Sequence, residues 1–454
     1  MKILMTGATG LVGRALGIRL VREGHEVVAL ARDSERARAK LTFPCQLFAW
    51  DGEKNDPPAA AFEDVDVIIH LAGEGIADKN WSEERKQHLR ESRVQSAEKL
   101  ARAARGTSLK AFISASAIGY YGDRADEKLT EASTPGYGFL SDLCRDWENA
   151  ADQVPAKRTV KLRFGVILSS MGGFLSRVVP LFQRLGASRL GSGAHYFSWI
   201  HIDDVVEAIL LAINNNDLKG AVNVVAPNPV TNAEMTDELA KVLKCFRAPP
   251  VPGVALKLRY GEMSEVLLGS QRVAPRVLFD YGFKFRFERL EQALLNLYPD
   301  LESGEILVSF AQWVPKKVDE LWSFFSSEHN LEKITPPILG FHVLGKNTDQ
   351  IQQGTLIDYR LKIHGVPVGW QTLISVWDPG KCFVDEQVRG PYKKWHHTHE
   401  FEPLADGTLL KDTVRFRLPM GLLGRGVALG QVMSDVSSIF EYRSKVVTQT
   451  FYPH

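Results

Sequence analysis

Long apolar runs, paired cysteines and an excess of either charge are all missing from this 454-residue chain, and each absence removes a class of function. No stretch of about 18 apolar residues occurs, so no membrane span is expected. The four cysteines, Cys45, Cys144, Cys245 and Cys382, are scattered and form no C-x-x-C pair; neither a disulfide framework nor a structural zinc site is expected, and all four read as reduced thiols. Basic residues number 55 against 54 acidic ones, a balance that gives the chain as a whole no electrostatic reason to bind nucleic acid or anionic lipid. Internal repeats and low-complexity tracts are also missing. The opening MKILMTGATG runs straight into a strand and a glycine loop without a signal-peptide pattern, which makes a cytoplasmic location the default expectation.

What the chain does have is length and a change of grammar along it. At 454 residues it exceeds one ordinary core, so two or three folded units are expected, and 44% apolar with 24% charged residues fits a globular protein. Up to about residue 230, β-branched runs alternate with amphipathic segments: Ile3–Met5, Glu26–Ala31, Val65–Ala72, Ala111–Ser116, Thr159–Leu168 and Ala221–Val225. That alternation predicts a doubly wound parallel sheet with helices on both faces, an α/β Rossmann-like unit. The run from Val67 to Gly73 is nearly unbroken apolar and ends in small residues, as a central strand reaching a ligand crevice should. Pro249-Pro-Val-Pro252 breaks the composition, residues 253–297 read as mostly helical, and Tyr298 to Gly304 reads as a linker.

Beyond that linker long strands replace the alternation. Ile357, Tyr359, Leu361 and Ile363 alternate with Asp358, Arg360 and Lys362, and Val414, Phe416 and Leu418 alternate with Arg415 and Arg417. This is the mark of half-buried antiparallel strands. A helix is expected after Pro315 and a longer one at the C-terminal end, with Val432, Val436, Ile439, Phe440 and Val447 on one side. The expectation is an α+β domain in which a curved sheet grips one long helix.

The stretch Thr6-Gly-Ala-Thr-Gly-Leu-Val-Gly13 lies between a predicted strand and a predicted helix. Gly7 permits a tight turn, Gly10 lets backbone N–H groups approach a pyrophosphate, and Gly13 allows close helix packing. Thr6, Gly7, Thr9, Gly10, Leu11, Val12 and Gly13 are therefore the residues expected to touch a dinucleotide. An NAD-selective site would place a carboxylate about 20 residues further on. The second strand ends instead in Ala29-Leu-Ala-Arg-Asp33, and Arg32 can grip a 2′-phosphate, which favours NADP(H). Asp33 is the competing choice, since a one-residue shift would let it read the ribose.

Several longer stretches accompany this loop: HLAGEGIADKNWSEERKQHLRESR, ISASAIGYYGD, FLSDLCRDWE, GSGAHYFSWIHIDD and GEMSEVLLGSQRV. With them, residues 1–297 resemble the extended short-chain dehydrogenase/reductase superfamily, in its atypical epimerase-family branch, with a DUF1731-type segment at about 249–297 and a small substrate lobe. The resemblance implies that Asp51 sits by the adenine, although a turn residue before Gly52 is an equal reading. It implies that Leu71, Ala72 and Gly73 line the ribose side, and that Arg163 follows the nicotinamide end, where a strand-end ion pair is the alternative.

In the superfamily a Ser or Thr orients substrate, a Tyr moves the proton, and a Lys four residues later lowers the Tyr pKa. A free phenol titrates near 10, so the help is needed. Ser116 matches the serine, with a strand-end cap as its plainer role. The dyad does not match. If Glu148 is aligned with the acidic residue on that helix, the Tyr position holds Leu140 and the Lys position Cys144, correctly spaced at i and i+4 without the proton chemistry. Sliding to Tyr137 puts Ser141 at the lysine position, and Arg145 lies off that face and titrates too high. Tyr120 and Tyr121 are the nearest phenols and the remaining candidates for the acid, or else they are wall residues. Cys144 is a small buried filler more readily than a nucleophile. In Trp199-Ile-His-Ile-Asp-Asp204, Asp203 or Asp204 is expected to cap a helix and His201 to be structural.

Residues 304–454 resemble the SRPBCC, or helix-grip, superfamily of START-type carriers and polyketide cyclase-like proteins, through their strand and helix order and the stretches ITPPILGF and GPYKKWHHTHEF. Such folds enclose an apolar cavity, and Trp322, Phe325, Trp370, Trp377 and Trp395 are candidate lining residues. In Trp395-His-His-Thr-His399, His397 and His399 share a strand face and His396 points away; two ligands fall short of a usual zinc site, so no metal is expected. Two functional readings follow for the whole chain. One is an NADP(H)-dependent oxidoreductase or nucleotide-sugar-epimerase-like enzyme of unknown substrate, fused to a domain for an apolar ligand. The other is an NADPH-binding sensor or scaffold without turnover.

Overall fold

The computed structural model describes residues 1–52 and 54–452. The early β-branched runs form strands β1 Lys2–Thr6, β2 Glu26–Ala31, β3 Gln46–Ala49, β4 Val67–His70, β5 Ala111–Ala117, β6 Thr159–Phe164 and β7 Gly220–Val224. They make one sheet in the order β7-β6-β5-β4-β1-β2-β3, with every neighbouring pair parallel. The chain order reverses between β1 and β4, and the crevice at their carboxyl ends is where such sheets bind ligands. All four residues of β4 are buried, as a strand covered on both faces requires.

The flanking helices that matter for the crevice are α1 Leu11–Arg22, α2 Val94–Ala103, α3 Phe139–Ala151 and α4 Gly173–Leu185. In α1 the buried face is Gly13, Leu16, Gly17 and Leu20, the i, i+3, i+4, i+7 stripe of an amphipathic helix. Gly17 has a packing reason: a Cβ there would lie 2.0 Å from the Phe43 ring. One expectation needs correcting. Thr159–Leu168 is not a single strand, because the chain leaves the sheet at Gly165, where a Cβ would stand 2.7 Å from the Ser198 carbonyl oxygen. The remainder, Val166–Leu168, pairs with Trp199–His201 at the base of the substrate lobe.

The second sheet is antiparallel throughout: β8 Glu305–Val314, β9 His342–Lys346, β10 Leu356–Ile363, β11 Val366–Asp378, β12 Cys382–Arg389, β13 Lys394–Leu404 and β14 Gly407–Arg417, in the order β8-β14-β13-β12-β11-β10-β9. In β10 the alternation reads out directly, with Ile357, Tyr359 and Leu361 buried and Asp358, Arg360 and Lys362 exposed. The 31-residue helix α5 Gly421–Phe451 lies in its concavity and buries Val436, Phe440 and Val447. The two sheets are tied together. The Trp313 N–H donates to the Leu41 carbonyl at 2.8 Å, the Trp313 ring joins the core cluster of Leu41 and Phe43, and Arg425 on α5 donates to Gln183 on α4 at 3.1 Å.

Candidate functional site

The glycine loop is built as a cradle. Gly7 takes φ +71°, and a Cβ on it would sit 2.7 Å from the backbone of Leu71; one on Gly13 would stand 2.3 Å from the Gly7 carbonyl oxygen. Gly10 is the N-cap of α1 and offers no side chain, so the first N–H groups of the helix face outward unsatisfied by a cap. Thr9, Leu11 and Val12 are half-buried at this opening. Thr6 is placed differently: it is buried, its hydroxyl meets His70 Nδ1 at 2.7 Å and it accepts from the Ala72 N–H at 3.1 Å. It sets the path of Leu71, Ala72 and Gly73 beside the loop.

At the end of β2 the two competing residues divide. The Asp33 carboxylate accepts from the Arg36 N–H at 3.0 Å and caps the short helix Ser34–Arg38. The Arg32 side chain is 74% exposed and its nearest carboxylate, Glu74, is 3.5 Å away. Glu74 is in turn gripped by Arg85, which holds its carboxyl below the usual range. Asp51 accepts from the Lys54 and Asn55 N–H groups at 2.8 and 3.4 Å, the turn geometry that was its alternative reading.

Below the crevice floor the expected catalytic hydroxyls are spent on one another's neighbours. Ser116 donates to Glu148 at 2.7 Å, Glu148 receives a bidentate Arg163 at 2.7 and 2.8 Å, Arg163 donates to the Tyr121 oxygen at 2.9 Å, and Tyr121 donates to Asn223 at 2.7 Å. Ser116 and Tyr121 are 2% and 0% exposed. Burial pushes the Tyr121 phenol up to about 12, against the pull of Arg163. Both hydroxyls belong to a buried network that joins β5, β6, β7 and α3. Arg163 takes the ion-pair role that was its alternative. Burial opposes its charge, and Glu148 more than offsets that, so its pKa is raised. Tyr120 is half-buried at the edge, its ring under the Arg163 guanidinium at 3.5 Å.

On α3, Leu140 and Cys144 turn inward against Gly119, and burial drives the Cys144 thiol up to about 12, which disfavours the thiolate. Tyr137 is 94% exposed, and Ser141 donates to the Tyr120 carbonyl at 2.7 Å. His201 itself, rather than Asp203 or Asp204, caps the helix Ile202–Asn214 by accepting from the Asp203 N–H at 3.1 Å. The Asp204 carboxylate instead accepts from the Arg286 and Phe287 N–H groups. Imidazole caps are rare, so the commoner residue type misled the reading.

Two residues were not singled out from sequence. His70 is fully buried between Thr6 and Ser96, and burial lowers it to about 4, so it stays neutral. Arg93, the N-cap of α2, holds its guanidinium 3.2 Å from where a Cβ on Gly73 would be, donates to the Glu74 carbonyl at 2.6 Å, and leaves Nε buried without a partner. Burial lowers it to about 10, next to Cys144. Its only sequence signal was a place inside the stretch that ends LRESR.

In the second domain a cavity of about 670 Å³ opens between sheet and α5. Phe325, Trp370, Trp377 and Trp395 line it; Trp322 lies behind, packed on Trp377, Phe383 and Phe401. His397 and His399 do share a face, and that face is the cavity wall. Asp385 and Asp412 flank them from β12 and β14, so that each imidazole contacts both carboxylates at 2.9–3.3 Å. Ligand atoms of Asp385, His397 and His399 come within 4.8 Å of one another, the spacing of a cation site. Arg443 from α5 also reaches the cluster, 3.0 Å from Asp412 and 3.3 Å from His399 Nδ1. No helix among the described residues is long and apolar enough to cross a membrane.

Three stretches of the chain match known protein families. Residues 3–225 match the NAD dependent epimerase/dehydratase family, residues 251–297 a domain of unknown function termed DUF1731, and residues 314–440 the family described as polyketide cyclase / dehydrase and lipid transport. Similar proteins include an epimerase family protein of Mycobacterium bovis, 37% identical over 295 residues that span 64% of this chain and 96% of the relative. One from Bacillus subtilis is 34% identical over 305 residues, 66% of this chain and 99% of the relative. Among solved structures, a human epimerase family protein with NADPH is 28% identical with a TM-score of 0.59, covering 66% of this chain and 100% of that one. A nucleoside-diphosphate sugar epimerase from Corynebacterium glutamicum is 35% identical with a TM-score of 0.53, covering 66% of this chain and 59% of its own.

Proposed function

The chain belongs to the NAD dependent epimerase/dehydratase family, and we propose that its first 297 residues form an NADP(H)-dependent oxidoreductase or epimerase-like enzyme that works without a Tyr-x-x-x-Lys pair. The observation that carries the cofactor choice is the split at the end of β2, where Asp33 is consumed as a cap and Arg32 is solvent-exposed, with only a 3.5 Å contact to Glu74. The cradle that a Cβ at Gly7 or Gly13 would fill suits a pyrophosphate lying against the start of α1. Arg32 would take the 2′-phosphate, Asp51 would border the adenine, and Leu71, Ala72 and Gly73 would follow the ribose. When bound, the nicotinamide supplies the hydride chemistry, and the protein owes it orientation and a proton route.

Arg93 is our candidate for the cation that the missing lysine would have supplied. It reaches the Gly73 side of the crevice from α2 and not from α3, with one N–H uncommitted. Tyr120 is the phenol left at the edge once Tyr121 is sealed. The test is calorimetric titration with NADPH and NADH. Arg32→Ala should weaken NADPH by about tenfold or more and leave NADH unchanged, since a charge-assisted contact is lost. Arg93→Gln should weaken both cofactors alike, with Arg93→Lys restoring part of the loss. Equal affinity of the wild type for NADPH and NADH would overturn the 2′-phosphate assignment.

A second reading, cofactor binding without turnover, is favoured by one observation: Ser116 and Tyr121 direct their hydroxyls into the network and away from the crevice. The NADP(H)-loaded protein, mixed with nucleotide sugars and small ketones, separates the two. Turnover that Tyr120→Phe abolishes supports the enzyme; no nicotinamide absorbance change with any of them supports the sensor. For residues 304–454 the aromatic cavity supports an apolar ligand.

A further inference from the structure

The second domain spends ionised groups on a wall that core packing would have made apolar. Burying charge is costly unless every partner is satisfied, so a cluster beside a cavity calls for a use. The cluster lies across three strands and one helix. Asp385 stands opposite His397 in the β12–β13 register, Asp412 stands opposite His399 in the β13–β14 register, and Arg443 reaches in from α5. His397 Nδ1 and His399 Nε2 both meet Asp385 Oδ2, while His397 Nε2 and His399 Nδ1 both meet Asp412 Oδ1. The carboxylates are therefore directed at the imidazoles. Glu328 and Asp435 also border the cavity, paired with Lys346 and His364, and Asp385 is turned to the imidazoles; the group with N–H donors to spare is Arg443, held over the Phe325 ring at 4.8 Å and 3.3 Å from His399 Nδ1.

A metal ion fits this arrangement poorly. It would have to displace the imidazole protons that the carboxylates hold, and it would lie next to the Arg443 guanidinium. An acceptor oxygen fits it well, because a guanidinium fork presents several donors to a carboxylate or carbonyl. The rest of the wall, Trp370, Trp377, Trp395 and Phe325 among it, suits a hydrocarbon body, and about 670 Å³ lies within the range for such pockets.

We propose that this cavity binds an amphipathic molecule whose carboxylate or carbonyl oxygen is held by Arg443, with its apolar body along the aromatic wall. The proposal rests on the reading of this domain as a binder of apolar ligands and adds the polarity of the head group. The test titrates the full chain at neutral pH with decanoate, 2-undecanone and decylammonium, each below its aggregation concentration, followed by the fluorescence of the cavity tryptophans. Decanoate, 2-undecanone or both should bind at least about tenfold more tightly than decylammonium, the scale of one charge-assisted contact. The charge-balanced double substitution D412N/R443M should bring the three affinities to within about twofold of one another. Tight binding of decylammonium, equal to or better than the other two, overturns the head-group assignment and leaves the apolar reading standing. Binding of none of the three overturns both. The wild type alone decides the selectivity, so the proposal stays exposed even if the double variant fails to fold.

Discussion

The two domains each bury an ion cluster, and the clusters differ in what lies beside them. In the first domain Glu148 and Arg163 form a bidentate pair sealed by Ser116, Tyr121 and Asn223, with all five members below a tenth exposed and joined in one chain of bonds under the crevice floor. In the second, Asp385, His397, His399, Asp412 and Arg443 also satisfy one another, yet four of them line a cavity. The first contains no imidazole, and its guanidinium is pushed further from titration by Glu148. The second contains two imidazoles. A closed network ties a sheet to a helix; an open one can also answer to a ligand or a proton.

The largest way to break this contrast is Glu148→Gln. It strands Arg163 in a buried site with half of its bonds to a charged partner gone, and unfolding should become easier by about 3–5 kcal/mol in chemical denaturation. The loss should be the same at pH 6 and pH 8.

The second cluster should respond to pH where the first does not. Burial opposes the charge on His397, but Asp385 and Asp412, with His399 beside it and Arg443 across from it, leave its pKa raised. Burial also opposes ionisation of Asp385 and Asp412, and the histidines and Arg443 outweigh it, so both carboxyls are lowered. A raised histidine contributes fully below the unfolded value of about 6.5 and fades as pH rises through its folded value. Lowered carboxyls contribute fully above about 3.9 and fade as pH falls through theirs. Thermal unfolding at stepped pH should therefore show the second domain most stable between those limits, and His397→Gln should remove the alkaline decline. An alkaline decline of equal size in the variant would count against the cluster as its source.

How much of this was legible in sequence follows from how local each signal is. The glycine loop, the parallel order and the alternation of β10 are written in spacings of two to seven residues, and the structure follows them. The break at Gly165 is not local, because it is forced by Ser198 some thirty positions away. Ser116 and Tyr121 were read from a motif that says where hydroxyls lie along the chain; which partner each hydroxyl finds depends on Glu148 and Asn223, on other elements. Arg93 escaped for the same reason, since only the fold brings the start of α2 to Gly73. His397 and His399 were seen as a pair, but their carboxylates sit on two different neighbouring strands.

Smaller substitutions sharpen the same contrast inside the first network. Tyr121→Phe leaves an Arg163 N–H and the Asn223 oxygen without a partner in a buried site, so about 1–3 kcal/mol of stability should be lost. Ser116→Ala removes one donor to a carboxylate that keeps both bonds from Arg163, and the loss should be smaller, about 0.5–1.5 kcal/mol. Because the Ser116 hydroxyl donates its hydrogen bond to Glu148 and is 2% exposed, its substitution should leave NADPH affinity unchanged while the unfolding midpoint falls. A Ser116→Ala protein of undiminished stability that loses turnover or cofactor affinity would reverse the assignment. It would mean that the hydroxyl swings out of the network to serve the crevice, and the first cluster would then be as open as the second.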